Sequence, residues 1–90
     1  MKKTRRRLLI EHLATFGSIT RQEALQYYGI QNLADLVMKL RRMGWTIDKR
    51  YVTVEGQRIC RYVMDPVTIY AAFATGTLVE VEGRFEAPYE

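Results

Sequence analysis

Three glycines, Gly17, Gly29 and Gly44, cut the first half of the chain into pieces of helical length. A glycine just past the last turn can take the left-handed backbone that ends a helix. The first two pieces also carry start signals. The Thr4 hydroxyl can accept from a free N–H of a first turn. Thr20-Arg21-Gln22-Glu23 forms a capping box, in which the threonine caps the helix and the glutamate reaches back to the cap residue. The spacing predicts helices from Thr4 to Phe16, from about Arg21 to Tyr28, and from about Asn32 to Met43.

Period and residue size then assign faces. Leu9, Leu13 and Phe16 fall at helical spacing toward a core, with Leu8 or His12 at the border. Ala24 and Leu25 point inward with Tyr28 beside them, and the small Ala24 suits close crossing by the next helix. Ile30 drops into the core after the Gly29 turn. Leu33, Leu36, Val37, Leu40 and Met43 make one apolar stripe. Gln31, Asn32, Asp35, Met38, Lys39 and Arg42 occupy the opposite face.

Beyond Gly44 the period changes. Trp45, Thr46 and Ile47 begin a strand that continues through Tyr51 to Val54, with Trp45 and Ile47 facing inward. Glu55-Gly56-Gln57 makes a hairpin turn. Arg58 to Met64 returns, with Cys60, Tyr62 and Met64 on one face. Ser18-Ile19-Thr20 is expected to make no more than a single ladder rung. Asp65 as cap and Pro66 at the first helical position predict a short helix, about Val67 to Ala74, ended by Thr75-Gly76. Thr77 to Glu82 alternates as a strand would, on the edge of the sheet or on a partner, and Arg84 to Glu90 reads as loose. The fold class is α+β, with one unit over 1–64 and an extension over 65–90.

Charge divides along the same line. Residues 1–64 hold thirteen Lys and Arg against five Asp and Glu, a net of +8, while residues 65–90 carry a net of −4. A basic domain of this size points to a polyanionic partner, nucleic acid first. No apolar run is long enough to cross a bilayer, and the N-terminal Leu8-Leu9-Ile10 is too short for a signal peptide. The lone Cys60 and lone His12 exclude an internal disulfide and a four-ligand zinc site. A reducing cytoplasm, with no metal or cofactor, is the expectation. An enzyme is not expected. His12 and Cys60 share no recognisable motif, the carboxylates are scattered, and no glycine-rich phosphate loop is present.

Gly17-Ser18-Ile19-Thr20, Glu23-Ala24, Gly29-Ile30, Leu33, Val37, Leu40-Arg41, Gly44 and Ile47 together resemble a small winged helix-turn-helix family common in phages and prophages. The resemblance covers about residues 5–64. It implies a compact winged helix of three helices plus a two-stranded hairpin wing, with DNA binding through the third helix. In such a protein Gln31, Asn32, Met38, Lys39 and Arg42 would approach the major groove, with Arg21 beside them. Lys49, Arg50 and Arg58 on the wing would touch backbone or minor groove. Arg5, Arg6 and Arg7, disfavoured by the helix dipole in a first turn, would add phosphate contacts. The role expected is a small transcriptional regulator acting on double-stranded DNA, with a homodimer contact through residues 66–90. The alternative is a protein-binding module, such as a phage inhibitor of a host complex, since Tyr51, Tyr70, Phe73, Phe85 and Tyr89 exceed what so small a core needs.

Overall fold

The computed structural model describes residues 2–90. The elements run α1 (Arg5–Phe16), β1 (Ser18–Thr20), α2 (Arg21–Tyr28), α3 (Leu33–Arg42), β2 (Asp48–Val54), β3 (Gln57–Val63), α4 (Pro66–Ala74), β4 (Val79–Val81) and β5 (Arg84–Glu86). Local chemistry sets most of these boundaries. The Thr4 hydroxyl accepts from the Arg7 N–H at 3.1 Å. Thr20 Oγ1 accepts from the Glu23 N–H at 3.1 Å, while Glu23 Oε1 accepts from the Thr20 N–H at 2.9 Å, so both halves of the capping box form. Asp65 caps α4 by accepting from the Thr68 N–H, and Pro66 takes the first helical position. Gly17 and Gly29, at φ +84° and +67°, close α1 and α2.

The main sheet has three strands in the order β1-β3-β2, all antiparallel. The hairpin expected as a two-stranded wing is therefore joined by β1. This short segment makes three register pairs, Ser18↔Val63, Ile19↔Tyr62 and Thr20↔Arg61, not one rung. Burial is the reason. Ile19 and Tyr62 lie together in the core, and the Met64 N–H donates to the Gly17 carbonyl at 3.0 Å. Trp45 and Ile47 are buried as expected, but the strand opens only at Asp48, because the Trp45 N–H is still bonded to the Leu40 carbonyl at the end of α3. Both hairpins turn on two residues. Glu55-Gly56 has φ +52° and +78°, and Glu82-Gly83 has φ +51° and +80°. Two successive left-handed residues are the turn whose twist matches paired strands.

One core holds the chain together. Leu9, Ile10, Leu13, Ile19, Leu33, Val37, Leu40, Ile47 and Met64 meet there, joined by Leu78 and Ala87 from beyond the hairpin. Three inward assignments fail. Phe16, Leu25 and Met43 are all exposed. Helix α1 is covered by β1, α2 and β5, so Leu9 to Ala14 are buried without a break. A helix enclosed on several sides has no single apolar stripe, and Phe16 projects past it. In α2 Ala24 is the buried residue, and Leu25, about 100° further round, faces out.

The C-terminal residues are not loose. β4 pairs with β5, not with the main sheet, through Val79↔Glu86, Glu80↔Phe85 and Val81↔Arg84. The Ala87 N–H donates to Glu11 Oε2 at 2.8 Å, and the Phe85 N–H donates to the Thr15 hydroxyl at 3.0 Å. The hairpin is thereby fastened along α1.

Candidate nucleic-acid interface

Helix α3 starts at Asn32, whose side-chain oxygen accepts from the Asp35 N–H at 3.2 Å. Its apolar stripe, Leu33, Val37 and Leu40, is buried, and this turns the other side of the helix to solvent. Met38, Lys39 and Arg42 are exposed on that side. Lys39 forms a solvent-exposed i,i+4 pair with Asp35 at 3.2 Å, a contact of little energy that a phosphate could displace. Arg42 has no ion-pair partner among the described residues.

The start of α3 faces the β2–β3 hairpin across an open groove of about 520 Å³, lined by Arg21, Gln31, Asn32, Lys49 and Tyr62 among others. Four of the expected contact residues, drawn from α2, the turn, the α3 cap and β2, are thus brought to one place. At the other end of α3, Arg41 Nε and Nη2 donate to the Ile47 carbonyl at 2.9 and 2.6 Å. This fork ties the end of α3 to the start of the hairpin. Nothing in the spacing of Arg41 along the helix marks it for that task.

Alternation sorts the hairpin cations. Lys49, Tyr51 and Thr53 pair across the ladder with Tyr62, Cys60 and Arg58, so Lys49 and Arg58 share the groove-side face. Between them lies Tyr51. The Arg58 guanidinium sits 3.9 Å from the ring centroid and Lys49 Nζ 5.5 Å from it. A hydrogen bond to the Tyr51 side chain pushes Lys49 above its ordinary value. Tyr51 is therefore no surplus aromatic but the ring on which both cations rest. Arg50 does not join them. It pairs across the ladder with Arg61 on the opposite face and lies 3.9 Å from Asp48, because one residue along a strand reverses the side.

The N-terminal arginines also separate. Arg5 and Arg6 are exposed, but Arg7 is not a free phosphate contact. Its Nε donates to Glu11 Oε2 at 2.9 Å, and its Nη2 lies 3.4 Å from Glu86 Oε1. Glu11 is a buried hub that also takes Lys3 Nζ at 2.9 Å and the Ala87 N–H. Burial alone would raise its carboxyl. The Ala87, Lys3 and Arg7 hydrogen bonds and the Lys3 charge outweigh burial and hold it below the usual carboxylate range. The dipole cost of cations in the first turn of α1 is met at Arg7 by these carboxylates, a partnership that spans 79 residues.

A family model described as winged helix-turn-helix domain matches residues 4–67, more than two thirds of the chain. The chain belongs to this winged helix-turn-helix family. No curated protein and no solved structure gives a significant match. Membership supports a DNA-binding role. In the terms of the family, α2 and α3 are the helix-turn-helix, β2–β3 is the wing, and β1 extends the wing sheet to three strands. The match ends two residues into α4, so most of that helix and the β4–β5 hairpin lie beyond it. Among the described residues no helix is long and apolar enough to cross a membrane.

Proposed function

We propose that this winged helix protein is a small transcriptional regulator, of the kind encoded by phages and prophages, that reads double-stranded DNA with α3 in the major groove. The carrying observation is the groove between α3 and the wing, where Arg21, Gln31, Asn32 and Lys49 converge, with Lys39 and Arg42 exposed further along the same helix. The asymmetry of uncommitted charge supports it. Arg21, Arg42 and Arg58 have no ion-pair partner among the described residues. Asn32 gives its oxygen to the helix cap, which leaves its NH₂ for a base edge or phosphate. Gln31 is exposed and keeps both amide groups for bidentate reading of adenine. Glu55 at the wing tip would repel phosphate, so the wing meets the duplex along the Lys49–Tyr51–Arg58 face, not tip first. The proposal involves no catalytic step and no cofactor, and its setting is the cytoplasm.

The test is binding of fluorescent duplexes, of random and genomic sequence, over a range of salt. Each neutralised phosphate contributes about 0.9 to the slope of log affinity against log salt. A slope of roughly −4 or steeper is expected. Affinity unchanged between low and moderate salt would remove DNA as the partner. A second reading, a protein-binding module aimed at a host complex, is favoured by the ring cluster of His12, Phe16, Tyr27 and Tyr28, whose centroids lie 4.7–6.2 Å apart. Phe16 is 69% exposed within it. That reading predicts weak wild-type binding to every duplex, and loss of partner binding on Phe16→Ser.

A further inference from the structure

The charges of α3 are divided along its length. Lys39, Arg41 and Arg42 all lie in its last turn, while the first turn carries only the acid Asp35. Arg41 is already bonded to the Ile47 carbonyl. The end of the helix that borders the wing groove therefore presents no cation of its own. What it presents is apolar. Ala34 lines the groove together with Gln31, Asn32 and Lys49. Met38 stands one turn further along the same side, at i+4 from Ala34, and is 51% exposed. The result is an uncharged strip of two amides, an alanine and a methionine. Lys49 of the wing flanks it on one side, and Lys39 and Arg42 lie toward the end of the helix.

We infer, building on the DNA reading above, that this strip selects A·T base pairs, with Met38 and Ala34 against thymine methyl groups and Gln31 on adenine. In the major groove each base pair displays a different pattern. Guanine offers two acceptors, and the side chains that match them are arginine and lysine. Thymine alone among the four bases carries a methyl group, and its partner adenine offers the donor and acceptor that an amide matches. A helix lying in the groove meets base edges mainly with its N-terminal residues. That part of α3 has no guanidinium or ammonium to give to guanine. Arg21, the cation at the same end, opens α2, the helix that crosses the phosphate backbone in this type of docking. Asp35 is the group that would take a cytosine amino group. It lies about 100° round from Ala34, on the side away from the wing groove, where Lys39 Nζ holds its Oδ2 at 3.2 Å.

Methionine suits a contact with a methyl group. Its unbranched chain and polarizable sulfur adapt to an irregular apolar surface. A methyl group withdrawn from a close apolar contact lowers affinity by about fourfold. Such a contact releases no counterion, so it leaves no mark on the salt dependence of binding, whereas a lysine on a phosphate does.

The test starts from duplexes selected out of a random library by the full chain at low salt. The selected core is expected to be rich in A·T pairs. Deoxyuridine in place of single core thymines removes one methyl group and keeps the base pair. At one or two positions this replacement is expected to lower wild-type affinity about fourfold. Met38→Ala, a change at an exposed site with an unchanged Tm expected, should abolish that sensitivity at one of them at least and leave the salt slope as it is. Lys39→Gln is expected to do the opposite, keeping the sensitivity and reducing the slope by about 1. A G·C-rich core overturns the inference, as does deoxyuridine that is neutral at every position, or a loss as large in Met38→Ala as in the wild type. Each of these leaves the DNA reading standing. A chain that retains no duplex, or whose affinity ignores salt, overturns that reading and the inference with it.

Discussion

Arg7 and Arg42 carry the same charge on two helices of one small domain and serve different ends. Arg7 is folded into a network with Glu11 and Glu86 that fastens the C-terminal hairpin to α1. Arg42 stands on the outer side of α3, beside Met38 and Lys39, with its charge unspent. Net charge places the molecule among polyanion binders, but it does not say which arginines do the binding. What decides that is whether a carboxylate from elsewhere in the chain has already claimed them.

The contrast breaks most visibly at Glu11. Glu11→Ala leaves Arg7 and the Ala87 N–H without their partner, and is expected to lower unfolding stability by about 3 kcal/mol, read from urea midpoints. DNA affinity of the folded fraction is expected to hold. If Glu11→Ala weakened DNA binding but not folding, the two regions would have been assigned the wrong way round. The same carboxylate adds an acid dependence. Its folded value is depressed, so its contribution is complete above the ordinary carboxylate range, ~4, and is lost as pH falls through that lowered value. Glu11→Gln is expected to flatten this part of a Tm–pH profile.

Next in size is the reverse case. Lys39→Gln combined with Arg42→Gln is expected to cut duplex affinity about thirtyfold and to reduce the salt slope by about 2, with Tm unmoved. Tyr51→Leu sharpens the comparison within the wing, because it removes the support and leaves the cations in place. An affinity loss of about fivefold is expected, with Tyr51→Phe, which keeps the ring under Arg58, retaining most of the binding. Equal losses for Leu and Phe would mean that the hydroxyl matters and the stack does not.

The smallest effect belongs to His12, which is buried in α1 with Nδ1 2.7 Å from the Tyr28 hydroxyl. Burial pushes the imidazole down, against the opposing Glu23 charge and a hydrogen bond to the Ser18 backbone. Its stabilising effect is complete above about pH 6.5 and erodes as pH falls below that toward the lowered folded value. A Tm decline of a degree or two is expected over that window, and His12→Gln is expected to abolish it.

Much of the frame is legible in the sequence because its signals are local. Thr4, the Thr20–Glu23 box and Asp65 act on backbone groups three residues away, and each caps the helix expected of it. The buried stripe of α3 is legible for a similar reason, since one side of that helix packs and the other does not. The failures come from contacts that close late in the chain. Phe16 is misplaced because α1 is covered by β5, some seventy residues on, as well as by its neighbours. Arg7 is misassigned because Glu86 is as distant. The rungs of β1 depend on β3, and Ala87 is small enough to enter the core without any pattern to announce it. At the proposed interface the cations of α3 are readable from helical period. The support of Tyr51 beneath Arg58 and the grip of Arg41 on Ile47 need the register and the path of the chain.

Both hairpins turn on Glu-Gly, with the glutamate itself held in a left-handed conformation. Glutamate enters that region reluctantly, whereas asparagine does so readily and is favoured in turns of this kind. The two bends are therefore places where the protein runs below its attainable ruggedness. Asparagine at 55 or 82 offers an engineer a hardier version, with α3 and the core left as they are.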